Sequence, residues 1–151
     1  MIHLIDIDES NWLAAAHLSV APDQRGYVAD AIGIIARGYV YRDCNARVWG
    51  IAVDDTLVGL AMVRSLDEEP ACYDLQQLMI DARYQNRGYG MQALLLILDR
   101  LREEGVYDRV EVCVKREDAP ALHVYEKAGF ADTGYVDDGA PDSVNLMLYF
   151  D

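Results

Sequence analysis

The chain has few of the features that mark membrane, secreted and nucleic-acid-binding proteins. Of its 151 residues only 13 are Lys or Arg, against 26 Asp or Glu, which gives a formal net charge of −13. Such a chain lacks the clustered cations that neutralise a phosphate backbone, so we expect no nucleic-acid partner. No run of about 18 apolar residues occurs, and the first residues lack the basic start and apolar core of a secretion signal. We therefore expect a cytoplasmic protein without a membrane partner.

Cysteine and histidine are also scarce. The three cysteines are an odd number without metal-ligand spacing, and Cys113 lies inside an apolar run. We expect reduced, partly buried thiols and no metal site. The three histidines have no partner visible in sequence and are interpreted as surface or packing residues: His3, His17 and His123.

What remains is the composition of one globular domain over residues 1–151, since 52% of the residues are hydrophobic. Strand patterns cover 2–7, 46–54, 56–64, 71–80, 109–115, 130–136 and 144–150. Helical patterns cover about 9–18, 22–39, 88–104 and 119–128. Asp54-Asp55 indicates an antiparallel hairpin. Because strands and helices interleave while hairpins pair antiparallel, the sequence predicts a mixed α/β (α+β) fold with one central sheet.

Apolar spacing and caps refine two of these helices. The helix from residue 88 should bury a stripe at spacings of three and four, formed by Met91, Leu94, Leu95, Leu98 and Leu101. Gly105 should end it, and Gly129 should end the next helix. Asp118 is the expected N-cap of that next helix.

The most informative segment is the polar loop Gln85-Asn-Arg-Gly-Tyr-Gly90, which lies between an apolar strand and an amphipathic helix. The first amides of a helix have no intrahelical partners, and the helix dipole favours negative charge beside them. Glycine lets a phosphate approach the backbone without meeting a Cβ. The loop therefore predicts an anion-binding site.

Two well-known phosphate loops do not fit this segment. Seven residues separate Ile80 from Gly88, whereas the dinucleotide fingerprint follows its strand almost directly. Asp108 precedes the next strand instead of closing it, and about 60 residues after the motif are too few for a doubly wound domain. No Lys-Ser or Lys-Thr follows the glycines, which excludes a nucleoside triphosphate loop.

Two motifs instead resemble the GCN5-related N-acetyltransferases. The run from Leu78 to Gly90 resembles the family's acetyl-coenzyme A motif, Gln/Arg-x-x-Gly-x-Gly/Ala, and the run from Asp118 to Phe130 resembles its second motif, ending in Tyr-Glu-x-x-Gly-Phe. The order of the two motifs and the distance between them are those of the family, and the resemblance covers nearly the whole chain. It implies about six to seven mostly antiparallel strands, helices on both faces and a splayed fourth strand, with a homodimer as a candidate assembly.

The resemblance also implies how acetyl-coenzyme A is held. The backbone of Leu78, Met79 and Ile80 would pair with the pantetheine arm, and the amides from Asn86 to Met91 would hold the diphosphate, assisted by Arg87. Asp118 stands where the family commonly has asparagine. The implied cofactor-binding residues are Leu78, Met79, Ile80, Gln85, Asn86, Arg87, Gly88, Tyr89, Gly90, Met91 and Asp118.

Catalytic roles are implied on the same basis. Tyr125 takes the position of the family's general acid. Many relatives carry a carboxylate where this chain has Gln76, and an amide cannot accept the proton of an amine. Asp74 lies two residues earlier, hence on the same face of a regular strand, and is the candidate base through a water chain.

Three less specific passages resemble the bacterial spermine/spermidine (diamine) N-acetyltransferases: Leu18-x-Val20-x-x-x-Gln24-x-x-Tyr27-Val28, Ile80 to Gln85, and Phe130-x-x-Thr133-Gly134. A polyamine acceptor agrees with the charge, because carboxylates around a cleft attract a polycation. We expect Asp30, Asp74 and Gln76 to bind it. Two alternatives stay open: another small amine, such as an amino acid or an aminoglycoside-like cation, and a noncatalytic acyl-coenzyme A sensor.

Overall fold

A single seven-stranded sheet organises the protein. The computed structural model describes residues 1–151. Its strands are β1 (Ile2–Asp6), β2 (Arg47–Val53), β3 (Thr56–Leu66), β4 (Cys72–Ile80), β5 (Arg109–Lys115), β6 (Ala131–Asp132) and β7 (Ser143–Tyr149), and its helices are α1 (Trp12–Ala16), α2 (Ala31–Val40), α3 (Tyr89–Glu104) and α4 (Ala119–Ala128). The strand order is β1-β2-β3-β4-β5-β7-β6, and only β4 and β5 run parallel. The predicted mixed fold with a mostly antiparallel sheet is confirmed.

Helices cover both faces of the sheet, each over its own apolar core. On one face α3 and α4 pack over the larger cluster, which includes Leu94, Leu101 and Tyr125. On the other face α1 and α2 pack over a smaller cluster that includes Ile34 and Met79. None of the four helices has the length and apolar character needed to cross a lipid bilayer.

The parting of β4 from β5 is the feature that creates the site. Only two residue pairs join these strands, Tyr73 with Val110 and Asp74 with Glu111. Beyond them, the β5-facing edge of β4 has no neighbouring strand. The splayed fourth strand implied by the family resemblance is therefore present.

A bulge in β4 lies just after the point where the strands part. Leu75 pairs with Val63 of β3 and Gln77 with Met62, so Gln76 is the extra residue. A bulge residue interrupts the strict alternation of side chains. Tyr73 and Leu75 accordingly pack in the core under α3, whereas Met79, which alternation would place with them, packs in the core under α2. The prediction that Asp74 and Gln76 share one face assumed a regular strand, and the bulge removes that assumption.

The predicted helix over 22–39 is wrong in its first half. Residues 22–24 form a 3-10 turn, and α2 begins only at Ala31. Asp30 takes the N-cap position and accepts a hydrogen bond from the Gly33 amide at 2.6 Å. Gly26 weakens any helix through this region, and the Asp30 carboxylate offers the backbone a better start. Residues 19–29 instead form a segment with a single 3-10 turn, and four of its side chains line the cavity described below.

Other boundaries shift by smaller amounts. The predicted helix over 9–18 is reduced to α1, and the predicted strand over 130–136 is reduced to β6, where Gly134 turns the chain with φ 79°. In α3 the buried side chains are Ala93, Leu94, Ile97, Leu98 and Leu101. Leu95, predicted in the stripe, is 47% exposed. Gly105 and Gly129 end their helices with positive φ, as predicted.

Candidate functional site

An open cavity of about 460 Å³ begins where β4 and β5 part and extends to the first turn of α3. Four regions of the chain line it. The β4 wall is formed by Leu75, Gln76, Leu78, Met79 and Ile80. The opposite wall, from β5 and α4, includes Cys113, Val114, Asp118, Ala121 and Tyr125. The segment 19–29 contributes Val20, Gln24, Tyr27 and Val28, and the loop before α3 closes the far end.

The loop before α3 has the geometry of an anion cradle. Asn86 and Gly88 both have positive φ, 63° and 82°, which turns the chain sharply into the helix. The Gln92 amide is the first to donate within α3, to the Gly88 carbonyl at 3.1 Å. The preceding amides, of Tyr89, Gly90 and Met91, are therefore available to a ligand, at the positive end of a 16-residue helix.

Open space beside Gly90 supports the interpretation of this loop as an anion cradle. A Cβ added to Gly90 would meet only the Ile80 Cγ1 atom, at 3.9 Å. That distance is ordinary van der Waals contact, so the protein itself does not require a glycine there. The space that a side chain would occupy lies free beside the helix end, where an anion can approach the backbone.

The side chains of two predicted cofactor-binding residues, Gln85 and Arg87, are hydrogen-bonded to other parts of the protein. Gln85 lines the cavity, but its Nε2 donates to the Ile80 carbonyl at 2.8 Å and to Gln24 Oε1 at 2.8 Å. Arg87 does not line the cavity, and its guanidinium donates to the Arg83 carbonyl at 3.4 Å. The Gln85 side chain therefore positions the loop, and the Arg87 side chain lies outside the cavity wall.

The segment 19–29 is fastened to β4 and to the loop that follows it. The Ser19 amide donates to the buried Asp81 carboxylate at 2.9 Å. Gln24 and Gln85 exchange two amide hydrogen bonds, at 2.8 and 3.1 Å. The Ala29 amide donates to Gln77 Oε1 at 2.9 Å. These contacts hold the segment beside the cavity although it contains no long helix.

Tyr125 lies in the wall contributed by α4. It is buried, and its ring packs edge-on against Phe130 with centroids 5.4 Å apart. Burial raises the pKa of the phenol well above its usual value, and the Asp118 carboxylate raises it further. Tyr125 therefore keeps its proton at neutral pH and presents a neutral hydroxyl to the cavity.

Asp118 caps α4, as predicted from sequence. Its carboxylate accepts from the Ala121 amide at 3.3 Å. Burial raises the pKa of this carboxyl. The residue also lines the cavity, so its negative charge acts on Tyr125 from the same wall.

The predicted acceptor residues do not come together as a group. Gln76 lines the cavity, and its Oε1 atom is buried without a hydrogen-bond partner. Asp74 is buried outside the cavity wall and accepts from Arg64 Nε at 2.9 Å. Burial raises the pKa of Asp74 although the Arg64 guanidinium opposes the rise. Asp30 is exposed and serves as the α2 cap, away from the lining residues.

Two nearby residues were missed by the sequence reasoning. Cys113 was expected to be partly buried, yet it is exposed and lines the cavity. Glu111 lies on the same face of β5 and pairs with Asp74 at the point where the strands part. Alternation in β5 was the available signal: Val110, Val112 and Val114 face the core, so the residues between them face the other way.

Comparison with known proteins agrees with this arrangement. A sequence profile described as the acetyltransferase (GNAT) family matches residues 11–130. No match is found among curated proteins. Among solved structures, an aminoglycoside acetyltransferase, AAC(6')-Ib, in complex with coenzyme A is similar with a TM-score of 0.80 and 17% identity, over 99% of this chain and 95% of that one.

Two further structures share the fold at similar coverage. The ribosomal-protein-S18-alanine N-acetyltransferase from Escherichia coli has a TM-score of 0.72 and 18% identity, over 99% of this chain and 94% of that one. A GNAT acetyltransferase from Elizabethkingia anophelis with acetyl-coenzyme A bound has a TM-score of 0.70 and 13% identity, over 99% and 98%. At these identities the likeness shows the fold. The profile match covers most of the chain, and with it the protein belongs to the GNAT family of acetyl-coenzyme A-dependent N-acetyltransferases.

Proposed function

We propose that the acceptor is a polyamine, with spermidine and spermine as the leading substrates, and that one of its primary amines is acetylated by direct transfer. The observation that carries the proposal is a group of carboxylates just outside the lining at the acceptor end of the cavity. Asp74, Glu111 and Asp137 lie close enough to raise one another's pKa or that of a neighbouring thiol. A flexible polycation gains both attraction and binding from such a surface, within a protein of net charge −13.

The cofactor end of the cavity supports the assignment of the donor. The free amides of Tyr89, Gly90 and Met91 suit a diphosphate, and the space beside Gly90 admits it. The unpaired edge of β4 offers backbone groups from Leu78 to Ile80 to the pantetheine arm. When bound, acetyl-coenzyme A supplies the thioester whose acetyl group is transferred.

Tyr125 is our candidate general acid. The departing thiolate needs a proton, and the Tyr125 hydroxyl, kept neutral by burial and by Asp118, retains one at neutral pH. Its placement in the cavity wall supports the role. Asp118 would act on this proton from α4 without itself touching the amine.

The proposed acceptor contacts begin with Gln76 in the β4 wall. Gln76 Oε1 lacks a partner, and an N–H of the incoming ammonium would satisfy it. Asp74 was predicted as the base, but its ion pair with Arg64 commits one of its oxygens. We therefore place Gln76 in direct contact with the acceptor, and Asp74 and Asp30, which lie outside the cavity wall, as negative charges that attract it.

An amine panel tests the acceptor. Thiol release from acetyl-coenzyme A is measured with spermidine, spermine and putrescine, and with an amino acid, an aminoglycoside and a peptide with an N-terminal alanine. We expect kcat/KM to be largest for the longer polyamines and to fall as salt is added. If polyamines release no more thiol than buffer while another amine is acetylated, the polyamine assignment is wrong and the acetyltransferase activity stands.

We also propose that the protein is a homodimer and that it works in the cytoplasm. Large apolar side chains exposed on α1 and α2 support a homodimer: Trp12, Leu13, Ile32, Tyr39 and Val40. All three cysteines are free thiols, which persist in the cytoplasm. Light scattering at several concentrations tests the dimer, and a monomer at every concentration would exclude it.

A further inference from the structure

The point where β4 and β5 part carries a symmetrical pattern of residues. Asp74 and Glu111 form the last residue pair that joins the strands. Two residues further along, Gln76 on β4 and Cys113 on β5 line the cavity. Each strand therefore places its carboxylate one step before the cavity wall. On β5, where alternation is regular, that step is about 7 Å, which is longer than one water molecule spans and requires a short chain of waters.

The two carboxylates differ in their partners. Asp74 accepts a charge-assisted hydrogen bond from Arg64 Nε at 2.9 Å. Glu111 accepts only from the Cys72 thiol, at 3.8 Å between Sγ and Oε2, and a thiol is a weak donor. Arg109, on the same face of β5, donates instead to Asp108 at 2.8 Å. Asp74 is thus compensated by a cation, and Glu111 is not.

The surroundings of Glu111 favour its protonated form. Burial raises the pKa of the Glu111 carboxyl, and the charges of Asp74 and then Asp137 raise it further, while the Cys72 thiol lowers it. Cys72 itself remains a neutral thiol, because burial and the charges of Glu111 and Asp74 raise its pKa to about 12. No three of the nearby acidic and thiol groups are arranged to hold a metal ion. A carboxylate in this setting is a better proton acceptor than an exposed one.

We propose that Glu111, rather than Asp74, accepts the proton that the acceptor ammonium must lose, through a short chain of water molecules that passes Gln76 and Cys113. The inference rests on the proposed function only in requiring a primary amine as acceptor. Gln76 cannot accept this proton, and Asp74 is held in its ion pair with Arg64. Glu111 is the remaining carboxylate at the point where the strands part.

The proton and bond changes balance with the groups present. One ammonium proton passes along the water chain to Glu111, which leaves a neutral amine. The amine nitrogen forms a bond to the acetyl carbon as the carbon–sulfur bond breaks, and Tyr125 gives its proton to the thiolate. The phenolate recovers a proton from the acetylated nitrogen, and Glu111 returns its own to solvent. The net products are an N-acetyl amine, coenzyme A and one proton.

The first test is the Glu111→Gln variant, assayed with the amine that the panel identifies. We expect kcat/KM for the amine to fall by about 10²-fold or more at pH 7. In the wild type, kcat/KM should rise with pH and level off once Glu111 is ionised. In the variant it should keep rising in proportion to the unprotonated amine, because no protein group removes the proton. Glu103→Gln, at an exposed glutamate of α3, is the matched control and should behave as wild type.

Stability separates a proton acceptor from a structural residue. The folded state raises the pKa of Glu111, so its ionisation costs stability as pH rises through the folded pKa. Glu111→Gln removes that cost, and we expect its Tm at pH 7 to be equal to or above that of wild type while its activity falls. Acetyl-coenzyme A affinity should not change. Glu111→Asp keeps a carboxylate and should retain the levelled pH profile with a lower kcat.

Two results would overturn the inference. One is a Glu111→Gln variant with kcat/KM within twofold of wild type and the same pH profile. The other is an Asp74→Asn variant that alone loses the levelled profile. A wild-type protein that acetylates no amine in the panel would instead contradict the proposed function, which separates the two failures.

Discussion

The two ends of the cavity are built by different means. At the cofactor end, one continuous segment, residues 85–91, presents backbone amides at the start of a long helix. At the acceptor end, side chains arrive from β4, from β5 and from the turn before β7. The first end depends on local chain geometry, and the second depends on strand register. An anion site built from backbone groups can therefore operate within a strongly acidic protein, because its attraction is local.

Tyr125 lies between the two ends, and its substitution should have the largest effect. For Tyr125→Phe we expect kcat to fall about 10²-fold or more, with both KM values nearly unchanged, because the lost proton donor acts on the departing thiolate. The ring should keep its packing on Phe130, so the Tm should stay within a few degrees. Steady-state kinetics and a thermal melt measure both, with the exposed Tyr135→Phe as control.

A kcat for Tyr125→Phe within threefold of wild type would remove the assignment of Tyr125 as general acid. It would leave the cavity without a group for the departing sulfur, although the fold and the cofactor site would stand.

The Arg64–Asp74 pair tests how far the acceptor end is structural. Arg64→Met leaves Asp74 as a buried, unpaired charge, and we expect a loss of about 2 kcal/mol in the free energy of unfolding at pH 7. Burial already raises the pKa of Asp74, so its ionised form costs folded stability as pH rises through the folded pKa. Without Arg64 that cost grows, so the deficit should shrink as pH falls. Urea unfolding at pH 7 and pH 4.5 measures it.

The double variant Arg64→Met/Asp74→Asn is the matched control for the single one, because it removes both charges. It should recover most of the lost stability. A single variant as stable as wild type at pH 7 would show that the ion pair contributes nothing.

Gly90→Ala should separate the cofactor end from the acceptor end. The added Cβ has room within the protein, and alanine favours a helix over glycine by about 1 kcal/mol, so the fold should be at least as stable. The same Cβ occupies the approach to the amides, and we expect KM for acetyl-coenzyme A to rise roughly tenfold, or ~1.4 kcal/mol. The KM for the amine should not change.

Gly26→Ala serves as the control for that substitution, since nothing lies within 4 Å of its added Cβ. Isothermal titration with coenzyme A gives a second readout that does not depend on turnover. Equal coenzyme A affinity in Gly90→Ala and wild type would argue against a diphosphate beside Gly90.

Salt should have the smallest effect, with opposite signs at the two ends. The net charge of −13 repels an anionic cofactor at long range and attracts a cationic amine. Between 50 and 300 mM salt we expect kcat/KM for the amine to fall a few-fold and kcat/KM for acetyl-coenzyme A to rise slightly. Salts of different ions control for specific ion binding. If kcat/KM fell with salt for both substrates, the two ends of the cavity would not differ in their electrostatics as proposed.

The difference between the two ends also explains what could be predicted from sequence. The helix start at Tyr89 and the cap at Asp118 depend on neighbouring residues, and both were predicted nearly to the residue. Asp74 was assigned by counting along a regular strand, and the bulge at Gln76 is set by pairing with β3, which the local pattern does not reveal. Cys113 was judged by its apolar neighbours, although its place in the β5 alternation was already visible.

The bulge in β4 also determines which changes this strand tolerates. A single substitution at Gln76 alters one side chain, and deletion of that residue would remove the bulge while every later residue of β4 keeps its β3 partner and its face. Gln77 would still accept from the Ala29 amide, and Leu78 would keep its place against the core under α3. Because Gln76 is the extra residue, β4 should tolerate its loss without moving any core side chain, and the consequences would be confined to the cavity wall.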